Sequence, residues 1–155
     1  MRVVAADPGG TTGVAVYDSA VGQESFQSFE LPTWEAVHAL DRMLDRLHTP
    51  LAEWVDLLVC ESFIISEGTL KKTRAGSYAA LESIGALRYL AQKHIIPFEL
   101  QEPVAKGIAT TERLKILGWH RPSKGGHQND AARHLLVAAI RYKVIDPKMF
   151  LEADR

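Results

Sequence analysis

The 155-residue chain, 46% hydrophobic and 24% charged, is long enough to bury a core without disulfide or metal staples, and residues 1–155 read as one domain. It contains no run of about 18 apolar residues free of charge, which excludes a membrane-spanning helix. Met1-Arg2-Val3 leads into a strand rather than a signal-peptide apolar region, so a cytoplasmic protein with no membrane partner is expected. The formal net charge of −1 conceals an asymmetry, since residues 1–70 carry 3 Lys+Arg against 11 Asp+Glu and residues 71–143 carry 13 against 5. Such a split suits a basic, nucleic-acid-facing surface on an acidic body, unless the two halves intermingle and cancel.

Residues 3–6 form a short apolar run that ends at Asp7, and residues 14–17 form another after Pro8-Gly9-Gly10-Thr11-Thr12-Gly13. This pattern predicts two strands joined by a glycine-rich turn, with a carboxylate at the tip of the first. Two readings of Asp7 stand. It starts the turn, or it faces a cation that offsets the cost of a charge at the end of a buried strand. The glycines would let another backbone or a phosphate approach closely.

Residues 25–31 alternate apolar and polar, predicting a third strand with one exposed face. Thr33 is then placed to cap a helix whose apolar positions Trp34, Val37, Leu40, Leu44 and Leu47 recur at three- and four-residue steps, closed by Pro50. Residues 55–60 are continuously apolar, too short for a helix, and read as a strand buried on both faces that ends in Glu61. The only cysteine, Cys60, lies in this run and is expected to act as a small core hydrophobe.

Residues 62–74 turn polar and basic. Phe63, Lys71, Lys72 and Arg74 could meet phosphates and a base step there, or simply belong to a solvated loop. Residues 75–94 predict a long helix with Tyr78, Leu81, Ile84, Leu87, Leu90 and Ala91 on its apolar side. Its small residues suit close packing against the sheet or a second subunit. A short fifth strand at 97–100 and helical pieces broken near Gly107 and Thr110 follow, with Lys106 and Lys115 adding positive charge. Residues 120–126 form a basic, glycine-rich loop containing Arg121 and Lys124. A last helix spans about 127–143, with Ala131, Leu135, Ala138, Ala139 and Tyr142 among its buried positions. Strands interleaved with helices make this an α/β protein.

On the last helix His127, Asp130 and His134 project from nearly one face. If the strands ending in Asp7 and Glu61 are neighbours, four groups converge: Asp7, Glu61, His127 and Asp130. Carboxylates so close repel one another unless a divalent cation neutralises them. Mg²⁺ is the natural occupant, and a His donor tilts the preference toward Mn²⁺. Paired ions of this kind can activate a water for phosphodiester hydrolysis. A lone His-x-x-Asp at a helix start is also explained by the helix dipole alone.

The order of these parts, with Asp7-Pro8-Gly9, Thr12-Gly13, Val59-Cys60-Glu61 and His127-Gln128-Asn129-Asp130-Ala131, resembles the RuvC family of Holliday junction resolvases across about residues 3–142. The region from Gln101 to Gly126 is similar to phage-type members. The resemblance implies a ribonuclease H-like fold with a five-stranded mixed sheet flanked by helices. It also implies catalytic, metal-holding roles for Asp7, Glu61, His127 and Asp130 with two Mg²⁺ or Mn²⁺ ions. His127 stands where many members carry an acidic residue, so its part as metal ligand or proton shuttle stays open. The expected protein is a homodimer that cuts a four-way DNA junction symmetrically, leaving a 5′-phosphate. Phe63, Lys71, Lys72, Arg74, Lys106, Lys115, Arg121 and Lys124 would bind the DNA.

Three other readings compete. The opening Asp7-x-Gly-x-Thr-x-Gly13 is similar to the phosphate loop of sugar kinases and actin-like ATPases, but those need two such domains and the chain is too short. A non-catalytic junction binder is disfavoured because all three carboxylates are present. A nuclease acting on forks, flaps or RNA is the serious rival, since metal chemistry on a phosphodiester does not name the nucleic acid's shape.

Overall fold

The computed structural model describes residues 1–63, 74–122 and 125–150. Five strands, β1 (Arg2–Asp7), β2 (Thr11–Asp18), β3 (Gln27–Pro32), β4 (Leu57–Glu61) and β5 (Phe98–Gln101), form one mixed sheet in the order β3-β2-β1-β4-β5. β1 and β2 pair antiparallel with Asp7 opposite Gly13. β2 and β3 are also antiparallel, whereas β1 with β4 and β4 with β5 are parallel. The parallel pairs need helical crossovers, whose helices cover one face, and the last helix of the chain covers the other, so β1 and β4 read as unbroken apolar runs.

Residue parity sorts the two cores. Val3, Ala5, Ala15, Leu57 and Val59 face the last helix, α4 (His127–Arg141), together with Trp119 and Phe150. Val4, Ala6, Val14, Val16, Leu58 and Cys60 face α1 (Thr33–Leu44) and α2 (Arg74–Lys93). Cys60 is fully buried, and burial pushes its thiol pKa well up, so it serves as a core hydrophobe. A short helix α3 (Thr111–Ile116) follows a 3₁₀ turn over Pro103–Ile108. Its cap is Thr110, whose hydroxyl accepts from the Arg113 N–H, so the helical pieces do break near Gly107 and Thr110.

Several details differ from the sequence reading. α1 buries Thr33, Ala36, Leu40 and Leu44, while Trp34 and Leu47 are exposed, Leu47 lying beyond the helix end. Trp34 shares the spacing but sits a third of a turn away from the buried row. Thr33 is the first helical residue rather than the cap, and its hydroxyl donates to the Gly9 carbonyl. Val55 is buried but precedes β4. On α2, Tyr78 and Leu81 are exposed and Leu87, Leu90 and Ala91 carry the packing. Tyr142 is exposed too, its hydroxyl donating to Glu99 Oε2 at 3.0 Å, a bond that raises its pKa. No described helix is long and apolar enough to cross a membrane.

Candidate active site

Because β1 and β4 run parallel with Ala6 beside Cys60, Asp7 and Glu61 end neighbouring strands at the same sheet edge. Asp7 shares the parity of Val3 and Ala5, and Glu61 that of Leu57 and Val59, so both carboxylates rise on the α4 face. Gln101 is the register partner of Glu61 and Glu99 that of Val59, which extends the row of polar side chains on that face to β5.

The start of α4 is brought onto this edge by Gly13. A Cβ there would lie 2.1 Å from the His127 carbonyl oxygen and 2.6 Å from the Gln128 nitrogen. Only a glycine lets β2 and the helix backbone approach so closely. Gly126, at φ 78°, precedes the helix in the left-handed conformation, and Glu30 of β3 reaches over to accept from the Gln128 N–H at 3.1 Å. A carboxylate on the exposed N–H groups of a first helical turn is favoured by hydrogen bonding and by the dipole together. Asn129 fixes the preceding loop by accepting from the Arg121 N–H and donating to the Arg121 carbonyl, at 2.9 and 2.7 Å.

At 100° per residue, His127, Asp130, His134 and Arg141 fall within about 60° of one another on α4. The stripe meets the polar row of the sheet one group at a time. His127 Nδ1 lies 2.8 Å from Asp7 Oδ2, His134 Nε2 lies 3.3 Å from Glu61 Oε2, and Arg141 pairs with Glu99. Asp130 pairs with Arg133, which also donates to the Thr111 hydroxyl at 2.9 Å.

Asp7, Glu61, His127 and Asp130 all line one cleft of about 380 Å³, walled by Pro8, Ser62, Phe63, Pro103 and Gly125. The structure thus places the four predicted groups around a common space. Among the described residues, however, no three His, Cys, Asp or Glu side chains close around a point that could hold a metal ion. Asp7 and Asp130 instead engage the cationic or hydrogen-bonding partners His127 and Arg133. The donor set of carboxylate oxygens and one imidazole has the chemistry of a hard divalent-cation site.

Of the predicted nucleic-acid contacts, Phe63 lies on the cleft wall and Lys115 is exposed on α3. Arg121 is also exposed, with its guanidinium 5.3 Å above Phe26 and donating to the Gly118 carbonyl at 2.6 Å. Lys71, Lys72 and Lys124, and the side chains of Arg74 and Lys106, lie outside the described residues. Sequence reasoning placed His134 on the right face but left it out of the site, and it passed over Gln101, Arg133 and Glu30. The continuing i, i+3, i+7 stripe signals His134. Nothing local distinguishes Glu30 from a solvent-facing residue of an alternating strand.

No protein-family model matches the chain, and no curated protein matches it. Among solved structures it is similar to Thermus thermophilus RuvC in complex with a Holliday junction substrate, at 18% identity and TM-score 0.64 over 92% of this chain and 95% of that one. A second Thermus thermophilus RuvC structure gives 20% identity and TM-score 0.61 over 92% and 96% of the two chains. With the sheet order and the helices on its two faces, this likeness establishes that the chain has the RuvC-like, ribonuclease H-like fold.

Proposed function

We propose that the chain is a metal-dependent, structure-specific endonuclease that resolves four-way DNA junctions by paired symmetric cleavage, in recombination or phage DNA processing. The observation that carries the reading is the convergence of Asp7, Glu61, His127 and Asp130 on one cleft at the strand-end edge of a RuvC-like sheet. The similar Thermus thermophilus protein is bound to a Holliday junction substrate, which supports branched DNA as the ligand here.

Asp7, Glu61 and Asp130 would hold Mg²⁺ or Mn²⁺, two ions in this reading, with His127 as a further donor or a proton relay. The ions supply activation of a water and neutralisation of charge on the scissile phosphate, leaving a 5′-phosphate. The protein's own part is to hold its carboxylates on rigid strand tips and on the first turn of a helix whose end is fixed by Gly13 and Glu30. Phe63, Lys115 and Arg121 are assigned to DNA, as are Lys71, Lys72, Arg74, Lys106 and Lys124 from sequence. Tyr78, Leu81 and Tyr89 leave an exposed apolar stretch on α2 that suits the homodimer interface paired cleavage requires.

The test is a panel with Mg²⁺ or Mn²⁺: a four-way junction, a Y-fork, a flap and an RNA–DNA hybrid. Symmetric, paired incision of the junction at the highest rate is expected. Faster cutting of forks, flaps or the hybrid would assign the same site to the rival substrates.

A further inference from the structure

We propose that Thr33 is a positioning residue for the turn that follows Asp7, holding the Gly9–Gly10 peptide with its carbonyl oxygen turned away from the cleft. The proposal deepens the reading of the site and rests on a DNA phosphate being cut beside Asp7. Thr33 is 8% exposed and is not among the residues that wall the cleft.

The sheet closes the turn at its two ends, where Asp7 faces Gly13 and Thr11 faces Pro32. For residues 8–10 a single residue supplies the hydrogen bonds found among the described residues. The Thr33 N–H donates to the Gly10 carbonyl at 3.3 Å, one rung past the Thr11–Pro32 pairing, and the Thr33 hydroxyl donates to the Gly9 carbonyl. The first bond is made by backbone and survives any side chain. The second depends on the hydroxyl. Pro32 gives α1 no side-chain cap, so the start of the helix and the turn hold each other.

A peptide with glycine on both sides is free to flip, since neither residue has a Cβ to oppose either orientation. Space does not oppose the flip either, as nothing lies within 4 Å of a Cβ built at Gly10. The hydroxyl selects one orientation. None of the described peptide bonds is cis, and in a planar trans peptide the carbonyl and the N–H point in opposite directions. With the Gly9 carbonyl on Thr33, the Gly10 N–H therefore points away from α1. That is the side of α4 and the cleft. A Cβ at Gly9 would lie 3.8 Å from His127 Cε1, and Pro8 and His127 both wall the cleft. A flipped peptide would set the negative end of a carbonyl dipole toward the entering phosphate, the wrong sign for a site that handles an anion.

Thr33→Val keeps the shape of the side chain and removes the donor, whereas Thr33→Ser keeps the donor. Relaxation of the Gly10 ¹⁵N–H, measured without metal or DNA, reads the peptide directly. Its order parameter is expected near about 0.85 in the parent and in Thr33→Ser, and below about 0.6 in Thr33→Val. Cleavage of a four-way junction with Mg²⁺ is then followed well below each variant's melting temperature. Thr33→Val is expected to lower kcat by about 10–100-fold, and Thr33→Ser to stay within about threefold of the parent. Junction affinity by gel shift is expected to stay within about threefold in both, because many phosphates share it.

A Gly10 amide as ordered in Thr33→Val as in the parent overturns the proposal. So does a Thr33→Val protein that melts lower but keeps the parent's kcat, the result of a purely structural role. If Thr33→Val does not fold, the parent decides, and a Gly10 order parameter below about 0.6 there overturns the assignment. Absence of metal-dependent cleavage in the parent itself overturns the reading of the site, and the proposal with it. A rigid Gly10 amide beside that result marks the reading, not the hold of Thr33 on the turn, as the part that failed.

Discussion

Gly13→Ala probes how the site is built, because the atoms its added side chain meets first belong to the backbone of α4. The new methyl would sit 2.1 Å from the His127 carbonyl oxygen and 2.2 Å from its carbon, about 0.9 Å inside the 3.0 Å limit that real Cβ contacts respect. Both obstacles are backbone, so no rotamer change relieves them. β2 is pinned on both sides, by β1 and β3, which leaves the first turn of α4 to move. Lifting it loosens Ala131, Ala132 and Leu135, all fully buried against the sheet. Overpacking of a close backbone contact costs about 1–3 kcal/mol, and the severity of this one places it near the top of that range. For a chain of this size that lowers Tm by roughly 6–12 °C.

The same lift carries His127 and Asp130 by about 1 Å relative to Asp7 and Glu61, a misplacement that can reduce turnover by about 100-fold. Urea unfolding followed by tryptophan fluorescence gives the first quantity. Junction cleavage well below the variant's Tm gives the second. Gly10→Ala is the control, since nothing lies within 4 Å of the Cβ it would add, and a neutral or slightly stabilising effect is expected. A Gly13→Ala protein as stable as the parent and equally active would show that α4 does not depend on this contact and would refute the account of how His127 and Asp130 are placed.

Four further outcomes are expected. Asp7→Asn should reduce metal-dependent cleavage by more than about 100-fold, the upper bound for merely supporting residues, with junction affinity in a gel-shift assay nearly unchanged. Trp119→Ala should destabilise by about 3–5 kcal/mol, because the indole is fully buried and stacks on Phe26 at 4.8 Å. Trp119→Phe should cost less than Trp119→Ala, as the phenyl ring fills more of the site and the indole N–H has no partner among the described residues. Urea midpoints report both. Asp41 has its carboxyl pKa held below the ordinary 3.8 by hydrogen bonds from Lys93 and His94. Its stabilisation is therefore present above about pH 4 and lost as pH falls through the lowered value. Asp41→Asn should be the less stable protein at pH 7, and the gap should narrow in the acid limb of the unfolding curve.

How much of this was legible in the chain depends on whether the information is local. Asp7 and Glu61 each close a continuous apolar run, and parity alone puts a residue at that tip on a defined face once the strands are neighbours. The α4 stripe is likewise local, since helical spacing places His127, Asp130 and His134 on one side whatever they meet. What they meet is not local. The His127–Asp7 contact spans 120 residues and the Gln128–Glu30 contact 98. Both depend on a register that no short window encodes.

The turn glycines show the same limit from the other side. The sequence allows Gly13 to admit either a phosphate or a backbone, and in the fold the space is filled by the first turn of α4. The opening hairpin therefore contributes to the site twice, through the Asp7 carboxylate on β1 and through the missing side chain opposite it on β2. The second contribution sets where His127 and Asp130 stand relative to the first. A glycine that touches neither metal nor DNA is thereby as much a determinant of the proposed chemistry as the carboxylates themselves.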